Sequence, residues 1–155
     1  MWEELYKAHF PELMRYASGA CGDRTLGEDI AQEVFLKALQ NADIIEELGP
    51  SQRRAWLFRA LKNLIYDRYR RAKVENEYLE TLESNTAVPD PGIQETENRM
   101  LLAILTPEDR ALFHLRYEEG YNASELSQMF CIPTGTIRAR LSRCRQLLKR
   151  KLTDE

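Results

Sequence analysis

The chain has 155 residues, a formal net charge of −3, 43% apolar residues and 30% charged residues. This is ordinary globular composition, sized for one moderate domain or two small ones. No run of 18 or more apolar residues occurs, which excludes a membrane-spanning helix, and direct membrane insertion is not expected. The N-terminal MWEELYKAHF has neither a basic n-region nor an apolar h-region, so no secretory signal is expected. Cys21, Cys131 and Cys144 are odd in number and show no CxxC spacing. A disulfide framework or zinc site is therefore not expected, and a reducing cytoplasm fits.

The small net charge hides a partition. Residues 1–50 carry 4 basic and 10 acidic residues, residues 51–74 carry 8 and 1, and residues 75–98 carry 0 and 7. Residues 99–130 carry 3 and 5, and residues 131–155 carry 7 and 2. Two compact basic blocks thus end the two halves of the chain.

Strand-like alternation is nowhere sustained, so both halves read as helical. Leu5, Tyr6, Phe10, Leu13, Met14 and Ala17 recur at helical spacing over residues 2–19, and Pro11 is expected to kink or break that helix. Thr25 and Glu28 form a capping-box pattern opening a second helix to about Asn41. A loop is expected around Ala42–Ser51, with Gly49 and Pro50 in it, then a third helix from about Gln52 to Lys73. The acidic stretch that follows, with Pro-Asp-Pro-Gly at 89–92, reads as a linker whose ends can extend the flanking helices.

In the second half a helix leads up to Leu105. Thr106-Pro107-Glu108-Asp109 then supplies an N-cap, a proline at N1 and first-turn acids for a helix ending near Gly120. Asn122 and Glu125 cap a short helix to Phe130. A turn at Cys131-Ile132-Pro133 precedes a last helix over about Thr134–Leu152.

Two short helices joined by a tight turn, the second strongly basic, form a helix-turn-helix pattern. At about 100° per residue, Ile137, Leu141, Cys144 and Leu148 make the buried stripe of the last helix. Gly135, Ala139, Ser142 and Gln146 lie opposite, flanked by Arg138 and Arg143. Small central residues let a backbone sit deep in a major groove, and flanking arginines reach guanine edges or phosphates. The bland alternative is a solvated basic face on a structural helix.

NASELSQMFCIPTGTIRARLSRCRQLLKRKL resembles region 4.2 of the extracytoplasmic-function sigma factors of the sigma-70 family. The family pattern is E-[IL]-A-x-x-L-G-[IV]-P-x-G-T-V-[KR]-S-R-[IL]-x-R-A-[RL], matched at Glu125, Leu126, Ile132, Pro133, Gly135, Thr136, Arg138, Arg140, Leu141, Arg143 and Arg145. The resemblance implies that this helix reads the −35 promoter element, through Gly135, Thr136, Arg138, Ala139, Ser142 and Arg143. Three positions depart from it. Cys131 stands where the family has Gly, so either a left-handed backbone there costs about 1 kcal/mol or the turn is reshaped. Ala139 replaces Ser and removes a polar contact, and Ser127 replaces Ala.

RRAWLFRALKNLIYDRYRR (53–71) buries Leu57, Phe58, Leu61, Leu64 and Ile65 on one projected face. Arg59, Asn63, Tyr66 and Arg70 line the other, with Trp56 and Lys62 beside them; Trp56 reads equally well as partly buried core. Guanidinium, amide and aromatic groups in one stripe suit single-stranded or distorted DNA. The segment resembles regions 2.3–2.4 of the same family at Ala55, Trp56, Leu57, Phe58, Asn63, Asp67, Arg70 and Arg71. That implies −10 element binding by Arg54, Trp56, Arg59, Lys62, Asn63, Tyr66, Arg70 and Arg71, helped by the preceding loop. Asp67 is expected to partner Arg70 or Arg71 rather than touch DNA.

The second helix buries Leu26, Ile30, Val34 and Ala38 and shows Asp29, Gln32, Glu33 and Leu36, with Phe35 and Leu39 at an edge. Apolar groups among acids suggest a protein interface, against the plainer reading of a core helix with a solvated side. Glu28 to Phe35 resembles region 2.2, which implies docking of Asp29, Gln32, Glu33, Phe35 and Leu36 on the β′ clamp coiled coil of core RNA polymerase.

The expectation is therefore an all-α protein of two small helical domains. Residues 1–74 would be region 2, residues 75–97 a flexible acidic linker and residues 98–155 region 4, with no room for a middle domain. Its implied partners are core polymerase (β′ clamp and β flap), promoter DNA and an anti-sigma factor. It would be no enzyme and would use no cofactor, metal or small-molecule substrate. A stand-alone helix-turn-helix regulator is the main rival. A nuclease using Asp29 and Glu33 is a weaker one, because no phosphate loop, metal-spaced cluster or nucleophile motif occurs.

Overall fold

The computed structural model describes residues 1–82 and 104–153, with side chains described for 1–73 and 104–153. Every regular element among them is an α-helix: α1 (Trp2–Cys21), α2 (Arg24–Gln40), α3 (Ala42–Glu47), α4 (Pro50–Leu82), α5 (Pro107–Tyr117), α6 (Ala123–Phe130) and α7 (Thr134–Thr153). Most of the expected linker, and most of the helix expected before Leu105, lie outside the described residues.

Three local expectations differ from what forms. α1 runs unbroken through Pro11. A mid-helix proline costs about 3 kcal/mol, offset here by burial of Leu5, Leu13, Tyr16 and Ala17 along the same helix. Asp23, not Thr25, caps α2, and its carboxylate accepts from Thr25 N (3.0 Å) and Leu26 N (3.3 Å). A charged oxygen at the positive end of the helix is the better cap. The expected loop around 42–51 holds the short α3, pinned by Arg53 donating to the carbonyls of Ile45 (2.9 Å) and Glu46 (3.0 Å). Finally, α4 continues past Lys73 to Leu82, an extension into the acidic stretch of the kind its ends allow. ENEYLETL is acidic, but Glu and Leu are good helix formers.

The C-terminal caps form as their residues indicate. Thr106 Oγ accepts from Asp109 N at 3.2 Å with Pro107 at N1, and Asn122 and Glu125 complete a reciprocal capping box. Cys131 ends α6 in the left-handed region (φ 58°, ψ 40°). Ser127 Oγ donates to the Ile132 carbonyl at 2.5 Å across that turn. Ser127 and Cys131, two of the family departures, therefore meet in one turn.

The N-terminal core gathers Leu13, Ile30, Val34, Ile45, Leu57 and Leu61. The C-terminal core gathers Leu112, Leu115, Leu126 and Ile137. The two are continuous: Tyr16 of α1 lies 6.1 Å from the Phe58 ring and 5.0 Å from the Phe130 ring. Helix α5 packs along α1 nearly as extensively as α2 does, on the α1 face that includes Gly19. A Cβ on Gly19 would meet the His114 Cβ at 2.7 Å, so only glycine permits that approach. Among the described residues no helix is long and apolar enough to cross a membrane.

Candidate nucleic-acid and partner interfaces

Helix α7 presents the surface that its projection implies. Ile137, Leu141 and Cys144 are buried and Leu148, expected in the same stripe, is half-buried, while Gly135, Thr136, Arg138, Ala139 and Arg143 are exposed and Ser142 is half-buried. Burial pushes the Cys144 thiol up to about 11, so it is an inert core group. Arg143 donates to Asp109 Oδ2 at 3.2 Å, and Arg140 pairs with Glu108 at 3.2 Å. Asp109 is only 4% exposed; a buried carboxylate needs a partner, and Arg143 supplies it while keeping most of its own surface in water.

Sequence reasoning missed a neighbouring feature. Arg116 of α5 joins Arg138 and Arg145 of α7 around a cleft of about 350 Å³, beside Tyr117 and Asn122. Arg145 also donates to the Tyr117 hydroxyl. Three converging guanidinium groups with no carboxylate in the cleft suit an anionic oxygen cluster such as a backbone phosphate. Arg116 lies on a different helix some 20 residues earlier in sequence, so no single-helix projection could have found it.

On α4 the exposed face carries Arg59, Asn63, Tyr66, Arg70 and Arg71. Arg70 pairs with Asp67 at 2.7 Å and lies 5.4 Å over the Tyr66 ring, so Asp67 orients the stripe as expected. Tyr66 is 53% exposed and open to a stacking base. Trp56 is half-buried against the core. Arg54 and Lys62 are turned inward relative to the expected stripe. Arg54 pairs with Glu12 at 3.0 Å and lies over the Phe58 ring, while Lys62 reaches the Phe130 carbonyl at 3.5 Å. Burial acts to raise the Glu12 carboxyl, but the hydrogen bond from His9 and the Arg54 charge outweigh it and hold the group below the usual carboxylate range.

On α2, Asp29, Gln32 and Leu36 are exposed, Leu36 at 59%. Glu33 is half-buried and takes Arg68 of α4 at 3.4 Å. Phe35 differs from its expected edge position. It is 6% exposed and packs on Tyr6 (5.0 Å) and Phe10 (6.3 Å), because the N-terminal turns of α1 cover that edge of α2. The exposed apolar groups nearby in sequence are Leu39 (53%) and Ile44 (50%). Ile44 lies in what sequence patterning read as loop.

Comparison with known proteins places the chain in a family. Residues 5–74 match the model of Sigma-70 region 2, and residues 101–150 match that of Sigma-70, region 4. The chain is 33% identical over 144 residues to the ECF RNA polymerase sigma factor SigL of Mycobacterium tuberculosis, covering 88% of this chain and 80% of that one. It belongs to the ECF RNA polymerase sigma factors. SigW of Bacillus subtilis is similar to this sigma factor at 29% identity, over 82% of this chain and 75% of its own. Among solved structures, the sigma factor RpoE of Bartonella quintana, in complex with the anti-sigma factor NepR, shares the fold. Its TM-score is 0.60 at 22% identity, covering 97% of this chain and 96% of that one. Family membership makes this a transcription initiation factor with a region 2 and a region 4.

Proposed function

We propose that this chain binds core RNA polymerase and directs it to promoters by reading a −35 element with α7 and a −10 element with α4. Residues 1–74 act as region 2, residues 98–155 as region 4, and the acidic segment 75–97 connects them. The observation that carries this reading is the pair of exposed basic faces, one per half. A dimerisation or ligand domain needs no arginine-amide-tyrosine stripe of the kind Arg59, Asn63, Tyr66 and Arg70 form.

Arg138, exposed at the start of α7, reads base edges in the major groove, with Gly135, Thr136, Ala139 and Ser142 allowing close approach. Arg143, oriented by Asp109, together with Arg116 and Arg145 of the neighbouring cleft, holds phosphates and sets the register. On α4, Arg59, Asn63, Arg70 and Arg71 hold the opened strand and Tyr66 stacks on a base, which offsets the unstacking cost as the −10 region melts. Trp56, Arg54 and Lys62 support this face from below. On α2, Asp29, Gln32 and Leu36 meet the β′ clamp, Glu33 is held by Arg68, and Phe35 braces the helix. The β flap holds region 4. A regulatory partner of anti-sigma type, as in the RpoE–NepR complex, fits a chain with such exposed docking and DNA surfaces. The protein carries out no covalent step and works in the cytoplasm.

Run-off transcription with purified core polymerase on a library of bacterial promoters tests the reading. A promoter-specific transcript that depends on this chain is expected, and its absence across the library would sink the proposal.

A further inference from the structure

Of the two arginines that flank the small-residue face of α7, Arg143 is tied to the protein interior. Its Nη2 donates to Asp109 Oδ2 at 3.2 Å, with 63% of the Arg143 side chain exposed and 6% of the Asp109 side chain. Among the described residues Asp109 is the only charged side chain that is buried. Local chemistry leaves its carboxylate available. Asp109 lies in the first turn of α5, but its own backbone N–H is already taken by Thr106 Oγ at 3.2 Å. One residue earlier, Glu108 takes Arg140 Nη1 at 3.2 Å. Adjacent acids of α5 thus hold two arginines one turn apart on α7. The Asp109 charge also reaches the buried stripe, where it adds to burial in raising the Cys144 thiol.

An apolar side chain at position 109 would fill similar space without burying a charge. The reason for the pair therefore lies in what Arg143 does. Arg138 and Arg143 are separated by about 7.5 Å along the helix and about 140° around it, so they occupy opposite flanks of the DNA face. Along one strand the next phosphate lies about 3.4 Å further on the duplex axis. An arginine free on its long stem reaches either of two neighbouring phosphates, and the helix can then settle in two registers. With one nitrogen held by Asp109, the plane of the rigid guanidinium fork is set, and its remaining donors meet phosphate in one register. The buried charge also offsets part of the attraction of Arg143 for phosphate at large, which lowers affinity for wrong sites more than for the right one.

Resting on the sigma-factor reading, we propose that Asp109 is a positioning residue for Arg143 and so determines how strictly α7 discriminates among −35 sequences. It touches no DNA itself. By fixing the phosphate anchor on one flank, it places Arg138 on the other flank against one base pair.

Transcription by the holoenzyme from its promoter and from single-base −35 variants of that promoter reads the discrimination as a ratio. The ratio is internal to each preparation, so a loss of folded protein cancels. Asp109→Asn keeps the shape and removes the charge. Transcription from the variants relative to the parent promoter is expected to rise about threefold or more, a part of the discrimination that one base pair typically carries. Arg143→Gln removes the group that Asp109 acts on. Adding Asp109→Asn in that background is expected to leave the ratio unchanged and to raise the melting temperature, because it discharges a stranded carboxylate. Arg143→Lys keeps a cation on Asp109 but not the rigid fork, and is read for the same relaxation should Asp109→Asn not fold. A ratio equal to that of wild type, or a relaxation by Asp109→Asn that persists in the Arg143→Gln background, would overturn the inference. A wild-type holoenzyme that yields no promoter-specific transcript would instead overturn the function above, and the role of Asp109 with it.

Discussion

Cys131 adopts φ 58° where the family pattern has glycine, a backbone that costs a side-chain-bearing residue about 1 kcal/mol. Cys131→Gly is therefore expected to stabilise the chain by up to about 1 kcal/mol, and Cys131→Val to destabilise it further; urea unfolding followed by circular dichroism reads both. Glu12 offers a pH test. Its folded pKa lies below the unfolded value, so its stabilisation is present above the ordinary carboxylate range and is lost as pH falls through the folded pKa. Glu12→Gln should lower the melting temperature at pH 7 and flatten its fall in acid. An unchanged pH profile would mean that the His9–Glu12–Arg54 cluster contributes nothing. At the −35 surface, Arg138→Ala and Arg116→Ala should both weaken promoter binding by the holoenzyme. Only Arg138→Ala should relax sequence preference, and Arg116→Ala should mainly reduce the salt slope by about one. Arg143→Ala is a poorer probe, because it strands the buried Asp109 and costs stability as well.

At the scale of elements, the caps and apolar stripes were legible and the boundaries less so. Asn122/Glu125 and Thr106/Pro107 form the caps that their spacing indicates, because capping is a local contest among adjacent groups. α4 runs past Lys73 into the acidic stretch, whose ends read as able to extend the flanking helices, because Glu and Leu favour helix there. α3 was missed because six residues carry too little periodicity to show. On α2 the outward face could be projected, yet Phe35 is covered by Tyr6 and Phe10 of another helix. The docking face therefore loses Phe35 and rests on Asp29, Gln32 and Leu36. Leu36→Asp with Gln32→Lys should abolish core-polymerase binding in a pull-down and leave the melting temperature within a few degrees. A retained complex would remove α2 from the interface.

For the whole molecule, sequence alone determined an all-α chain with a partitioned charge, a helix-turn-helix at one end and an aromatic-basic helix ending the other half. These follow from period, capping and residue chemistry, which act within a helix or a turn. Tertiary structure alone decided that the two halves share one core through Tyr16 and Phe130, that Arg116 joins Arg138 and Arg145, and that Lys62 and Arg54 turn inward. Each of these depends on which side chains from distant segments meet. A helical projection shows which face a residue occupies, but only the packed chain shows what lies opposite that face.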